Sequence, residues 1–169
     1  MERPSNDYLP AQFVTGFRLV RVLVVARRPD RLYVPLASYH YNLTPPNPGQ
    51  TSWNEFNPGL IFTWEDRFGT LDYSVGALLN SYEEVSPMFS VGKFWDVSAK
   101  VSLGAVASFV DYGDNARHFD VTLGGSNLAV LPALQVNYRN AFMQIVPAPD
   151  FNGNNGALFT FGATFALGQ

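Results

Sequence analysis

The sequence predicts an all-β protein, an eight-stranded antiparallel up-and-down transmembrane β-barrel over residues 32–169, with an N-terminal entry and amphipathic helix within residues 1–31. Three observations lead there. From Leu32 onward, segments of about ten residues alternate apolar with polar side chains and are separated by turn residues. The composition is aromatic-rich and charge-poor, with 14 Phe, 8 Tyr and 3 Trp against 15% charged residues, a balance that suits β-structure next to an apolar phase. Finally, no run of about 18 apolar residues exists, so any crossing of a bilayer must be made by strands.

Residues 1–12 carry two prolines and an Asn-Asp pair without periodicity. Residues 13–28 place Phe13, Phe17, Val20 and Val24 on one helical face and Arg18, Arg21 and Arg28 on another, the pattern of a basic amphipathic helix on an anionic surface. Five valines in this stretch argue for a strand instead, and the periodicity favours helix. Residues 1–32 hold six Arg against three acids, whereas the remainder holds five basic and eleven acidic residues, which makes nucleic acid an improbable partner. The N-terminus lacks the order of a secretory signal, so export requires a leader ahead of this numbering.

The strands are expected at 32–42, 56–65, 70–81, 87–95, 97–109, 130–138, 141–147 and 157–167. In the fifth, Val97, Ala99, Val101, Leu103, Ala105, Ala107 and Phe109 share one face, and Ser98, Lys100, Ser102, Gly104 and Ser108 share the other. The last puts Phe159, Phe161 and Phe165 opposite Thr160, Gly162 and Thr164. A soluble barrel shows the same period with its apolar face inward. Aromatic residues near strand ends and the scarcity of charge within strands favour lipid outside.

Cysteine is absent, which removes thiolate chemistry. The two histidines stand 78 residues apart, with no metal-ligand spacing, and neither a P-loop nor a serine elbow is present, so no cofactor or metal is expected. What remains is His40 at the end of the first strand, able to act as a general base, and a serine as its hydroxyl partner. Alternating strand directions bring the end of strand three, with Ser81, to the same rim as His40. Ser38, Ser52, Ser86 and Ser126 are also available by topology.

Leu32-Tyr33-Val34-Pro35-Leu36-Ala37-Ser38-Tyr39-His40 resembles the first strand of the outer-membrane lipid A palmitoyltransferase (PagP) family, which ends on a histidine at the same spacing. Trp53-Asn54-Glu55 with Pro58-Gly59, Asn80-Ser81-Tyr82 with Pro87 and Gly92, Leu131-Pro132-Ala133-Leu134, and Ile145-Val146-Pro147 with Asn154-Asn155-Gly156 are similar to later segments of that family, in order, over about residues 31–167. The resemblance implies a monomeric outer-membrane enzyme that moves a palmitoyl chain from a phospholipid donor to lipid A or a related lipid acceptor. It places the catalytic histidine at His40, the serine at Ser81 and the family's aspartate at Asn80, an amide that carries no charge. It also implies an acyl-chain pocket with Gly92 at its floor, and lateral lipid access beside Pro35, Pro58, Pro132 and Pro147, where proline withholds a donor from the ladder. Because of Asn80, either hydrogen bonding alone orients His40, or Glu83 or Glu84 substitutes, or the barrel is a non-catalytic lipid-binding or structural protein with a decayed site. A lipid esterase using water as acceptor is a third reading.

Overall fold

The computed structural model describes residues 28–168 apart from Pro48, Asp120, Asn152 and Gly153. The expected helix over 13–28 lies outside the described residues except for its last position. Eight antiparallel strands form a closed barrel in sequence order: β1 Arg31–Tyr41, β2 Gly59–Phe68, β3 Leu71–Leu79, β4 Val85–Ser98, β5 Val101–Asp111, β6 Leu128–Tyr138, β7 Ala141–Phe151 and β8 Asn154–Ala166. β1 closes the barrel on β8. Short turns at 69–70, 99–100 and 139–140 share one rim with the start of β1 and the end of β8; the other rim carries segments 42–58, 80–84 and 112–127.

Several boundaries differ from the expected ones for local reasons. The expected fifth strand at 97–109 runs through a real turn, because Val97 and Ser98 end β4 and Ala99-Lys100 reverse the chain. That turn contains no Gly, Pro or Asn to announce it, and the Ser98 hydroxyl accepts the Lys100 N–H at 3.3 Å. Lys100 is therefore a turn residue and not a strand interior. β2 starts at Gly59 rather than 56 and ends three residues later than expected, at Phe68, across an irregular step between Trp64 and Phe68 where Asp66 adopts φ +52°. β3 stops at Leu79, short of the expected 81. The expected loop at 150–156 is mostly strand, with β7 reaching Phe151 and β8 starting at Asn154. Part of the polar loop after β5 is a 3-10 helix, Gly113–His118.

The wall is apolar outside and mixed inside, where buried Ser, Thr, Asn and Gln side chains stand among Val106, Val110, Phe142 and Val146. On β5, Ser102, Gly104, Val106, Ser108 and Val110 face inward, while Leu103 and Ala105 are exposed. Several inward hydroxyls pair with each other or with amides, as in Thr63 with Ser74 at 2.8 Å and Asn137 donating to Ser102 at 3.0 Å, whereas the buried Thr164 hydroxyl has no partner among the described residues. The largest fully buried side chains are Asn80, Thr63, Thr164, Pro35 and Ser86. Outside stand Leu36, Leu60, Phe62, Val75, Phe89, Leu103, Leu134 and Phe161, with Tyr39, Tyr41, Trp95, Tyr138 and Phe165 towards strand ends. A soluble carrier barrel has the reverse distribution.

Two ladders are incomplete. β1 pairs with β2 only from Arg31–Tyr33, and β6 pairs with β7 only from Leu134–Tyr138, against eleven rungs between β5 and β6. Continuing the β6/β7 register sets Pro132 opposite Pro147, a rung at which neither residue has an N–H to donate. The gap above it stays open. On the other side, above Pro35 and Pro58, segment 55–57 bridges β1 again: Ser38 N–H donates to Glu55 O and Asn57 N–H to Leu36 O.

Candidate functional site

His40 reaches the interior because of an irregularity. In strict alternation Pro35 and His40 lie on opposite faces, but the β1/β8 register shifts between Pro35 and Ala37. Pro35 supplies no N–H, Leu36 becomes the extra residue at 46% exposure, and the shift returns Ser38 and His40 to the inner face that Tyr33 and Pro35 already occupy. The imidazole stacks on the Trp53 indole, with centroids 4.3 Å apart and planes 8° from parallel. Trp53 is itself fixed, its Nε1 donating to Leu43 O at 2.8 Å. The Nδ1 atom of His40 is buried and has no hydrogen-bond partner among the described residues.

Asn80 and Ser81 occupy the turn after β3. The Asn80 side chain is 1% exposed and every polar atom of it is engaged. Its Oδ1 accepts the N–H groups of Tyr82 at 2.8 Å and Glu84 at 3.0 Å, and its Nδ2 donates to Ser86 Oγ at 2.9 Å. Ser86 then donates to Asp111 O. Accepting two backbone donors at once bends the chain away from β4, which is why β3 ends at Leu79. Asn80 thereby sets the turn that presents Ser81, and makes no hydrogen bond to His40. Glu83 and Glu84 are exposed. The carboxylate of Glu84 accepts from Asn115 Nδ2 at 3.2 Å, and neither acid is bonded to His40 among the described residues.

His40 and Ser81 line one pocket of about 290 Å³ at the long-loop rim. Its other walls are apolar, among them Leu43, Phe119, Val130, Val146 and Leu158, and it reaches Pro132 and Pro147, so it meets the unpaired upper β6/β7 gap. Ser81 also lines the interior cavity of about 90 Å³ and sits where the two meet. Gly92 faces that interior cavity. A Cβ there would come within 3.1 Å of Val106 Cγ2 and 3.2 Å of Ala105 O, so glycine keeps open a place that a side chain would crowd. Below Ser81 the cavity wall is mixed, with Ser74, Ser90, Ser108, Gln135 and Gln144 beside Leu78, Met88 and Val110. Phe94 lies on Gly104 and Phe142 on Gly162, while Tyr33 meets Phe142 edge to face at 5.2 Å.

The chain matches no known family model and no curated protein. Its site is therefore described by its own geometry. Of the sequence-derived residues, His40 and Ser81 come together in one pocket, Asn80 holds the turn that carries Ser81, and Gly92 stands apart in the interior cavity.

Sequence reasoning missed an aromatic relay that covers the site. Trp53 meets Tyr82 edge to face at 5.4 Å, Tyr82 meets Tyr112 at 6.1 Å and His118 at 6.3 Å, and Tyr112 packs on Phe119 at 4.4 Å. Side-chain amides tie the loops beneath: Asn47 donates to Asn115 at 3.1 Å, and His118 Nε2 lies 3.1 Å from Asn47 Oδ1. The signal for this cluster was an aromatic residue in each segment of that rim, namely Trp53, Tyr82, Tyr112 and Phe119. No group of three or more acids or histidines that could hold a metal ion occurs among the described residues.

Proposed function

We propose that this protein is an outer-membrane acyltransferase of the lipid A palmitoyltransferase type, moving a fatty acyl chain from a phospholipid to lipid A or a related lipid. The observation that carries this reading is the pocket that joins a half-buried histidine and a buried serine to a lateral opening in an otherwise apolar-coated barrel. Lipid in the surrounding bilayer enters above Pro132 and Pro147, its acyl chain lies along Val130, Val146 and Leu158, and its ester reaches His40 and Ser81. The long-loop rim faces outward and the short turns face the periplasm, as in barrels of this kind.

In the reaction His40 takes the proton of the acceptor hydroxyl, whose oxygen attacks the donor's ester carbonyl carbon. Collapse breaks the bond from that carbon to the glycerol oxygen, and His40 returns the proton to the departing lysophospholipid. Ser81 is the hydroxyl partner of His40, and Asn80 positions Ser81 through the turn. Among the described residues no carboxylate is bonded to the imidazole; the Trp53 stack takes that part.

A second reading is favoured by one observation, the unpartnered Nδ1 of His40. Without a carboxylate the barrel binds lipid and transfers nothing. Acyl transfer from labelled phospholipid to lipid A in detergent separates the two. The enzyme reading expects transfer by wild type, loss in His40→Ala and Ser81→Ala, and retention or gain in Asn80→Asp. Inert wild type with transfer restored by Asn80→Asp alone would establish the lipid-binding reading instead.

A further inference from the structure

Among the described residues, two side chains that line the upper pocket each carry a buried polar atom without a hydrogen-bond partner: His40 with Nδ1 and Tyr82 with Oη. Buried hydroxyls are almost always bonded, so a phenol left unbonded beside a serine and a histidine calls for a ligand atom. The ring that carries it is held firmly, edge-on to Trp53 and Tyr112, stacked over His118, and packed against the cluster of Val110, Tyr112, Ala116 and Ala129. Other donors near it are engaged, the Trp53 Nε1 with Leu43 O and His118 Nε2 with Asn47.

We propose that Tyr82 is a further catalytic residue, whose hydroxyl donates a hydrogen bond to the carbonyl oxygen of the scissile ester as that oxygen becomes an oxyanion. This rests on the acyl-transfer reading above and adds a group that reading does not contain. As the acceptor oxygen bonds to the carbonyl carbon, the carbonyl electron pair moves onto its oxygen and the Tyr82 hydroxyl stabilises it without giving up its proton. The pair returns when the bond to glycerol breaks. Burial raises the Tyr82 phenol well above its ordinary range, which keeps it a donor at any pH the enzyme meets. A donor fixed before reaction pays no reorganisation cost when charge develops.

The test is Tyr82→Phe in the full chain in detergent, with His40→Ala beside it. Removal of one oxyanion donor lowers kcat about 10²–10³-fold. KM should stay within about twofold, because the ring still packs and the ground-state carbonyl is held only weakly. A second measurement needs no turnover: a long-chain alkylphosphonate monoester, a tetrahedral anion, should bind Tyr82→Phe far less tightly than wild type, while an uncleavable ether phospholipid binds both alike. A purely structural role for Tyr82 would weaken both ligands together and would overturn the proposal. If Tyr82→Phe keeps wild-type kcat while His40→Ala is dead, the oxyanion role fails and the acyl-transfer reading stands. If wild type itself moves no acyl chain, both fall.

Discussion

At Asn80 one amide holds a turn together. Asn80→Ala leaves the N–H groups of Tyr82 and Glu84 without their acceptor in a part-buried turn, and should cost about 1–3 kcal/mol, measurable by denaturant unfolding in detergent. Asn80→Asp should cost less than about 1 kcal/mol, because a carboxylate still accepts both N–H groups and the Ser86 hydroxyl can rotate from Asp111 O to donate to it. The comparison separates the structural part of residue 80 from its electrostatic part. The family resemblance singled out His40, Asn80 and Ser81, and the structure sets His40 and Ser81 on one pocket; the turn that Asn80 holds was not legible, because an Asx turn depends on which backbone donors converge on it.

At the scale of elements, β1 shows how a single proline aims a side chain. Pro35 and the extra Leu36 return His40 to the interior, and a strict two-residue period would have placed it outside. Since the chain has no cysteine, single substitutions report this directly. A thiol at Tyr39 or Tyr41 should be reached by a lipid-soluble maleimide and be quenched by lipid nitroxides, whereas a thiol at Ser38 should be protected from both. Equal reaction at 38 and 39 would contradict the bulge. Which residues share a face was readable from alternation along β5 beyond the Ala99-Lys100 turn and along β8. Boundaries were not readable where the turn lacked Gly, Pro or Asn, as at Ala99-Lys100, nor where a bulge reset the parity, as at Leu36. The open β6/β7 ladder belongs to this scale too. A short reducible crosslinker joining Pro132→Cys to Pro147→Cys should block transfer until it is reduced, and unchanged transfer in the crosslinked protein would rule out that gap as the route of lipid entry.

For the whole molecule, the determining feature is that the side chains are distributed inside out. Buried serine, threonine, glutamine and asparagine share the interior with Val106, Val110, Phe142 and Val146, while leucine, phenylalanine and valine coat the outside, so removing detergent exposes that apolar coat to water. The protein should therefore be monodisperse in detergent and aggregate on its removal, as sedimentation can show. Monodispersity without detergent would sink the membrane assignment. In the proposed reading the apolar coat, the lateral gap and the His40–Ser81 pocket are parts of one arrangement, by which a lipid would bring its ester to the site without leaving the bilayer. The measurement that tests this most directly is the mass of lipid A after incubation in vesicles with wild type and a phospholipid carrying a deuterated acyl chain. The account predicts lipid A heavier by one deuterated acyl group, and none with His40→Ala. Release of deuterated fatty acid with lipid A unchanged, or no change in either lipid, would contradict it.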